Sequence, residues 1–226
     1  MKQQRKTMKE LVLSTLGDTY PVTPVDIGED KDLKKNGFHF TTEVYEAKGL
    51  GHLCFLSMKA MAGMMKMETA IVANTEKDVP LLNLDWVKAM GKETQMVEFY
   101  DDQLQPYPAE KLDALSAIKA KDADLEDRET DPHWYDDILL PCSYDKTGKG
   151  NAGRFNAAAL AYLQEYKAQL ATAADCDPAE KKEKVRAFAT TLFEQGGPAV
   201  DQVTKLFGKE VAKRLILGHM YGVLDG

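Results

Sequence analysis

The chain has 226 residues, 44% hydrophobic and 29% charged, with a formal net charge of −7, which is the balance of a globular protein large enough to bury its own core. The acidic excess argues against bulk nucleic-acid binding, which needs a basic footprint, and no apolar run approaches the roughly 18 residues of a membrane span. The N-terminus leads into a short amphipathic stretch rather than the apolar core of a signal peptide, so a cytoplasmic protein is expected.

Three cysteines at scattered spacings (Cys54, Cys142, Cys176) fit reduced thiols better than a disulfide framework. The four histidines (His39, His52, His133, His219) show no H-x-x-x-H spacing, so no metal site is expected.

Taken in order, residues 3–16 place Met8, Leu11, Val12 and Leu16 on one helical face, with Gly17 as a stop. Residues 19–36 read as loop. Residues 38–45 alternate and are rich in β-formers. Two Met-rich segments, 53–59 and 66–74, read as strands joined by a turn near Ala62-Gly63. Residues 78–86 and a third extended run, 93–100, follow. Such short links favour antiparallel neighbours, because a parallel pair needs a long crossover.

From Glu110 the chain turns helical through Leu112, Leu115 and Ile118, and the charged stretch 119–131 reads as a solvated loop. Pro132-His133-Trp134-Tyr135 opens another extended piece, 138–144. Asn151 caps a predicted helix carrying Phe155, Ala159, Tyr162, Leu163, Tyr166 and Leu170. Asp177-Pro178 with Glu180 has the form of a capping box before a helix that carries Val185, Phe188, Ala189, Leu192 and Phe193 and ends at Gly196-Gly197. Pro198 begins a last helical region running to Tyr221, bent near Gly208. No repeat or linker divides the chain, so one domain over residues 1–226 is expected. The class is α/β: a three-layer α/β/α sandwich around a mainly antiparallel sheet.

Polar or ionisable groups interrupt the apolar strands at Cys54, Glu68, Asn83 and Asp85. A carboxylate under a covering layer costs several kcal/mol unless paired or protonated, so these positions mark either a site or a wet sheet face. With period two, Glu68 shares a face with Ala70 and Val72, leaving Met67, Thr69 and Ile71 opposite. If Glu68 and Asp85 line one cavity, repulsion and desolvation raise at least one pKa and leave a neutral acid able to protonate a ligand.

The other candidates each have a plainer reading. Cys54 has no base supplied by sequence and reads as packing. His52 is a proton donor or a satisfied structural residue. Met58, Met61, Met64, Met65 and Met67 line an adaptable pocket for a flat ligand or fill core. Lys205, Lys209 and Lys213, at i, i+4 spacing, offer a docking stripe for an acidic partner or a solvated face. Gly148-Lys-Gly-Asn-Ala-Gly153 is a literal G-x-G-x-x-G, a nucleotide-loop signal without the βαβ context that gives it force.

Several of these residues resemble the ferredoxin-dependent bilin reductases. Val79-Pro80-Leu-Leu-Asn-Leu-Asp85 looks like that family's L-P-x-x-x-x-D motif, which carries a catalytic Asp. Glu68 then stands where many members have a catalytic His. His52-Leu53-Cys54 looks like its H-x-E strand, with Cys54 in place of the glutamate. Pro132-His-Trp134 resembles its P-x-W. Phe207-Gly208 followed by Glu210-Val-Ala-Lys-Arg214 and Met220-Tyr221 resembles its closing helix. The resemblance extends, with gaps, over residues 38–221.

It implies a sandwich that binds a linear tetrapyrrole between the sheet and the C-terminal helices. It also implies no bound metal or flavin, single electrons from an external ferredoxin or flavodoxin, and protons from side-chain acids. Asp85 is then the proton donor, Glu68 a substitute acid, and His52, Cys54 and Asn83 substrate contacts. Lys205, Lys209 and Lys213 would receive the electron donor. Where members often carry an acid at the start of the last helical region, this chain has Gln195-Gly-Gly-Pro198, with Asp201 the nearest carboxylate. The expected function is bilin binding with reduction by proton-coupled electron transfer. The alternatives are a non-catalytic carrier of a flat hydrophobic ligand and nucleotide binding at residues 148–153.

Overall fold

The structure is a computed structural model that describes residues 5–224. It opens with helix α1 (Met8–Leu16), begun by a capping box in which Thr7 and Glu10 exchange side-chain and backbone bonds. Residues 3 and 4 of the expected helix lie outside the described residues. The stretch read as loop contains two short strands, β1 (Val22–Val25) and β2 (Asp32–Lys35). Both pair with the same edge of the next strand, where Pro24 needs no inner hydrogen-bond partner.

Five long strands follow: β3 (Phe38–Ala47), β4 (Gly51–Ala60), β5 (Met65–Asn74), β6 (Leu81–Ala89) and β7 (Lys92–Tyr100), each antiparallel to the one before. β6 and β7 are joined by Met90-Gly91, both at positive φ (49° and 82°), as a two-residue hairpin of the type I′ kind requires.

Helix α2 (Ala109–Ala120) comes next. The charged stretch after it is more than loop: it supplies β8 (Glu126–Asp127), which pairs with β9 (Tyr144–Gly148). The extended piece expected over 138–144 is mostly loop following a 3-10 turn (Trp134–Ile138), and the strand starts only at Tyr144. β9 pairs antiparallel with β7, giving the order β1-β3-β4-β5-β6-β7-β9-β8.

Four helices and a π-helical segment close the chain: α3 (Ala152–Thr172), α4 (Pro178–Gln195), α5 (Pro198–Phe207), α6 (Lys209–Lys213) and Arg214–Met220. Asn151 precedes α3 without a side-chain cap. Asp177 caps α4 through the Ala179 amide, with Pro178 at the first helical position; the full box with Glu180 does not form.

The alternation of each strand sorts these helices into two layers. Leu53, Phe55, Ala70, Val72, Leu84, Trp86, Val97 and Phe99 pack against α1 and α3 through Leu11, Phe155, Tyr162 and Tyr166. On the other face Val44, Cys54, Ile71, Leu81 and Tyr100 pack against α4 and the π segment through Val185, Phe188, Ile216 and Met220. Most of these side chains are fully buried, worth roughly 1.5–3 kcal/mol each relative to exposure. The expected α/β/α sandwich with an antiparallel sheet is what forms. Among the described residues no helix is long and apolar enough to cross a membrane.

Candidate functional site

The second face of the sheet does not close completely. Between strands β3–β7 and the layer made by α4, α5 and the π segment lies a cavity of about 430 Å³, within the roughly 300–1,000 Å³ of small-molecule sites. Apolar side chains form most of its wall, including Met58, Met65, Met67, Met96 and Met220. Met61 and Met64, expected in the same cluster, sit in the exposed turn between β4 and β5.

One end of the cavity is polar. The β5–β6 register sets Thr69 opposite Asp85 and Ile71 opposite Asn83, and the β6–β7 register sets Asn83 opposite Glu98. Thr69, Asn83, Asp85 and Glu98 therefore share the face that looks into the hollow. Thr69 donates its hydroxyl to Asp85 Oδ1. Asn83 Nδ2 donates to Asp85 Oδ2 at 2.7 Å and to Glu98 Oε2 at 3.1 Å. The Tyr100 hydroxyl donates to the same Glu98 oxygen at 2.9 Å. Arg128, just beyond β8, also lines the cavity, with its guanidinium held by Asp145 of β9 at 2.8–2.9 Å.

Burial first, and then the charge of Glu98, push the Asp85 carboxyl up to about 7, against the hydrogen bonds from Thr69 and Asn83. Burial also raises Glu98, with Asp145 adding to the effect and Asn83, Tyr100 and Arg128 opposing it. An acid near 7 in an apolar hollow is suited to give a proton at neutral pH.

Of the residues singled out in the sequence, Asp85 and Asn83 lie together in this site. Glu68 does not join them. It pairs with Trp86 rather than Asp85 and so emerges on the opposite face. There its carboxylate forms an ion pair with Arg5 and accepts the Met8 amide at 3.0 Å, tying down the start of α1. The convergence of Glu68 and Asp85 on one cavity is thus corrected by strand parity.

His52 and Cys54 face the right side of the sheet but lie beyond the cavity. His52 binds Glu46 through Nδ1 at 2.9 Å and donates from Nε2 to the His219 carbonyl at 2.8 Å, fastening the end of the π segment to β4. Cys54 is buried in the core, where burial pushes its thiol upward and leaves it inert.

Glu98, Thr69, Tyr100 and Arg128 were missed. The signal for the first three was period two on β5 and β7, which puts them in step with Asp85 once the register is known. Arg128 hid in a segment read as solvated loop. Gly148–Gly153 does link a strand to a helix, but β9 is antiparallel to both its neighbours, so no βαβ unit surrounds it. No group of His, Cys, Asp or Glu among the described residues is arranged to hold a metal ion.

No protein-family model matches the sequence, and no curated protein matches it. Among solved structures the chain is similar to a phytochromobilin synthase from tomato, solved in complex with biliverdin. The TM-score is 0.75 with 14% identity, over 96% of this chain and 82% of that one. The two share a fold. At that identity the likeness is one of architecture alone and carries no side-chain role from one protein to the other.

Proposed function

We propose that the cavity binds a linear tetrapyrrole and that the protein reduces it by proton-coupled electron transfer, with Asp85 as a proton donor. The observation that carries this reading is the Asp85 carboxyl, raised to about 7, at the polar end of a methionine-walled hollow. Support comes from the fold neighbour, which was solved with biliverdin. Thioethers and aromatic rings suit a flat conjugated ligand, while Asp85 and Asn83 offer acceptors and a donor to its nitrogens and terminal oxygens. Electrons come from an external ferredoxin or flavodoxin. Lys205, Lys209 and Lys213 stand exposed on α5 and α6, and the N-terminal part of α5 walls the cavity, so a donor docked there sits close to the ligand. In this reading the protein carries no cofactor of its own.

Mixing the purified protein with biliverdin is expected to give a shifted, sharpened visible band. Asp85→Asn is expected to keep that band and to lose reduction by reduced ferredoxin. If no linear tetrapyrrole changes the spectrum, the reading is wrong.

A second reading, a non-catalytic carrier, draws on the absence of histidine from the described cavity lining and on the diversion of Glu68 to the other face. It expects the same bound band with no turnover when electrons are supplied.

A further inference from the structure

A two-electron reduction consumes two protons, and Asp85 alone supplies one. Glu98 projects from β7 into the same cavity as Asp85. The Asn83 amide joins them, giving one hydrogen to Asp85 at 2.7 Å and the other to Glu98 at 3.1 Å. The two other acids singled out in the sequence, Glu68 and Asp201, do not line the cavity. Glu68 is bound to the start of α1, and Asp201 is exposed, with its carboxylate against Gly196.

The groups facing the pair leave it short of positive charge. On the strand side these are Tyr100, Arg128 and Asp145, and Arg128 is committed to Asp145. Among the described residues Tyr135 and Tyr221 are the other titratable groups that line the cavity. The lining residues of α4 and α5, such as Phe188, Pro198 and Val203, are not titratable. Two carboxylates joined through one neutral amide in such a place ionise one after the other, and a proton stays with the pair. Burial is the first cause of the upward displacement of both groups, and a neighbouring carboxylate adds to it, Glu98 at Asp85 and Asp145 at Glu98.

The geometry points to Glu98 as the second acid of the site: it and Asp85, coupled through the Asn83 amide, supply the two protons of the reduction. This rests on the tetrapyrrole reading. One carbon–carbon π bond of the conjugated ligand breaks and two C–H bonds form. Two electrons arrive singly from an external iron–sulfur or flavin protein. The proton held by the pair goes to the ligand with one of them, water reprotonates the pair, and a second proton goes with the other, one leaving from Asp85 and one from Glu98.

Difference infrared spectroscopy on the ligand-free protein reads the pairing without any ligand. Wild type is expected to keep a protonated-carboxyl band near neutral pH that Asp85→Asn removes or displaces. In Glu98→Gln the midpoint of the Asp85 band is expected to fall by about one pH unit, because a neighbouring negative charge is gone. An Asp85 titration identical in wild type and Glu98→Gln overturns the pairing, whatever the ligand.

With biliverdin and reduced ferredoxin, Glu98→Gln is expected to keep the bound band, slow reduction about 100-fold or more, and accumulate a one-electron radical visible by electron paramagnetic resonance. Glu98→Asp, which keeps a carboxyl and covers the case of a poorly folding glutamine variant, is expected to recover part of the rate. Turnover of Glu98→Gln within about twofold of wild type, against losses of the size general acids give, overturns the second-acid role, as does a wild type that binds biliverdin and never reduces it. A wild type that shows no bound band overturns the tetrapyrrole reading and the acid role with it, while the infrared result still decides whether the carboxyls are paired.

Discussion

Asn83 and Glu98 stand opposite each other across β6 and β7, and the amide of the first donates to the carboxylate of the second at 3.1 Å while holding Asp85 at 2.7 Å. A neutral amide thus joins the two carboxylates. Because it brings no charge, it leaves the pair's proton affinity high.

The sign of that displacement sets how stability depends on pH. Asp85 is raised from the ordinary carboxylate value of about 4 to about 7, so between those pH values the folded protein binds more protons than the unfolded chain. Stability then falls as pH rises through that window and is flat above it. Asp85→Asn removes this slope and is expected to raise the melting temperature at pH 8 relative to wild type, with less gain at pH 5. Melting curves of the two proteins across pH 5–8 that run parallel count against a raised Asp85.

Glu68 belongs to the other face, and its substitution separates architecture from chemistry. Glu68→Ala removes an ion pair to Arg5 and an acceptor for the Met8 amide. The loss of such half-buried charge-assisted bonds costs about 1–3 kcal/mol. Urea unfolding is expected to show that loss, with biliverdin binding and the Asp85 titration unchanged. A change in the Asp85 titration without loss of stability means that the two carboxylates do communicate through the sheet.

The contrast between Glu68 and Glu98 shows what the chain discloses on reading and what it withholds. The layers were legible because period two in residues 38–100 and the helical spacing around Tyr162 and Phe188 are local properties of the chain. Asp85 and Asn83 were legible as polar interruptions of an apolar strand.

Which other strand meets them depends on register. For β6 and β7 the information was present: Met90-Gly91 is a two-residue hairpin turn, and counting back from it pairs Asn83 with Glu98. For β5 and β6 it was not, because residues 75–80 connect the strands irregularly, and a shift of one residue moves Glu68 to the opposite face. Arg128 was hidden for a different reason, since charge density marks solvent exposure on average and says nothing about one side chain folded inward against Asp145.

A second buried charge lies outside the cavity and holds α4 to the sheet. Lys181 is fully buried and donates to the Val79 carbonyl at 3.0 Å, and to the Asp102 carbonyl and carboxylate each at 2.8 Å. Burial pushes Asp102 up to about 6 even against this lysine. Removing one partner of such a pair leaves the other uncompensated, at a cost of about 3–5 kcal/mol. Lys181→Met is expected to lose stability on that scale, and Lys181→Met with Asp102→Leu to regain much of it. A single variant as stable as wild type, read by chemical denaturation, shows that the buried pair contributes nothing.

The π segment that forms part of the cavity wall is clasped at both ends by groups remote from the chemistry. Arg214 donates from Nε at 2.9 Å to Asp30, His219 Nε2 meets the same carboxylate at 2.9 Å, and His52 holds the His219 carbonyl at 2.8 Å. The hydrogen bond from Arg214, and after it that from His219, keep the Asp30 carboxyl below the ordinary carboxylate range despite the opposing effect of burial. A carboxyl depressed in the folded state gives stability that is complete above the unfolded value near 4 and is lost as pH falls through the folded one. Asp30→Asn is therefore expected to flatten the acid limb of the stability profile below pH 4. It is also expected to speed amide exchange over residues 214–221, which include the cavity residues Ile216, Met220 and Tyr221. If the segment is set by this clasp, weaker biliverdin binding accompanies the faster exchange. Fast exchange with unchanged binding instead means that the wall is organised by the apolar packing of Ile216 and Met220 against the sheet, and that Asp30 serves stability alone.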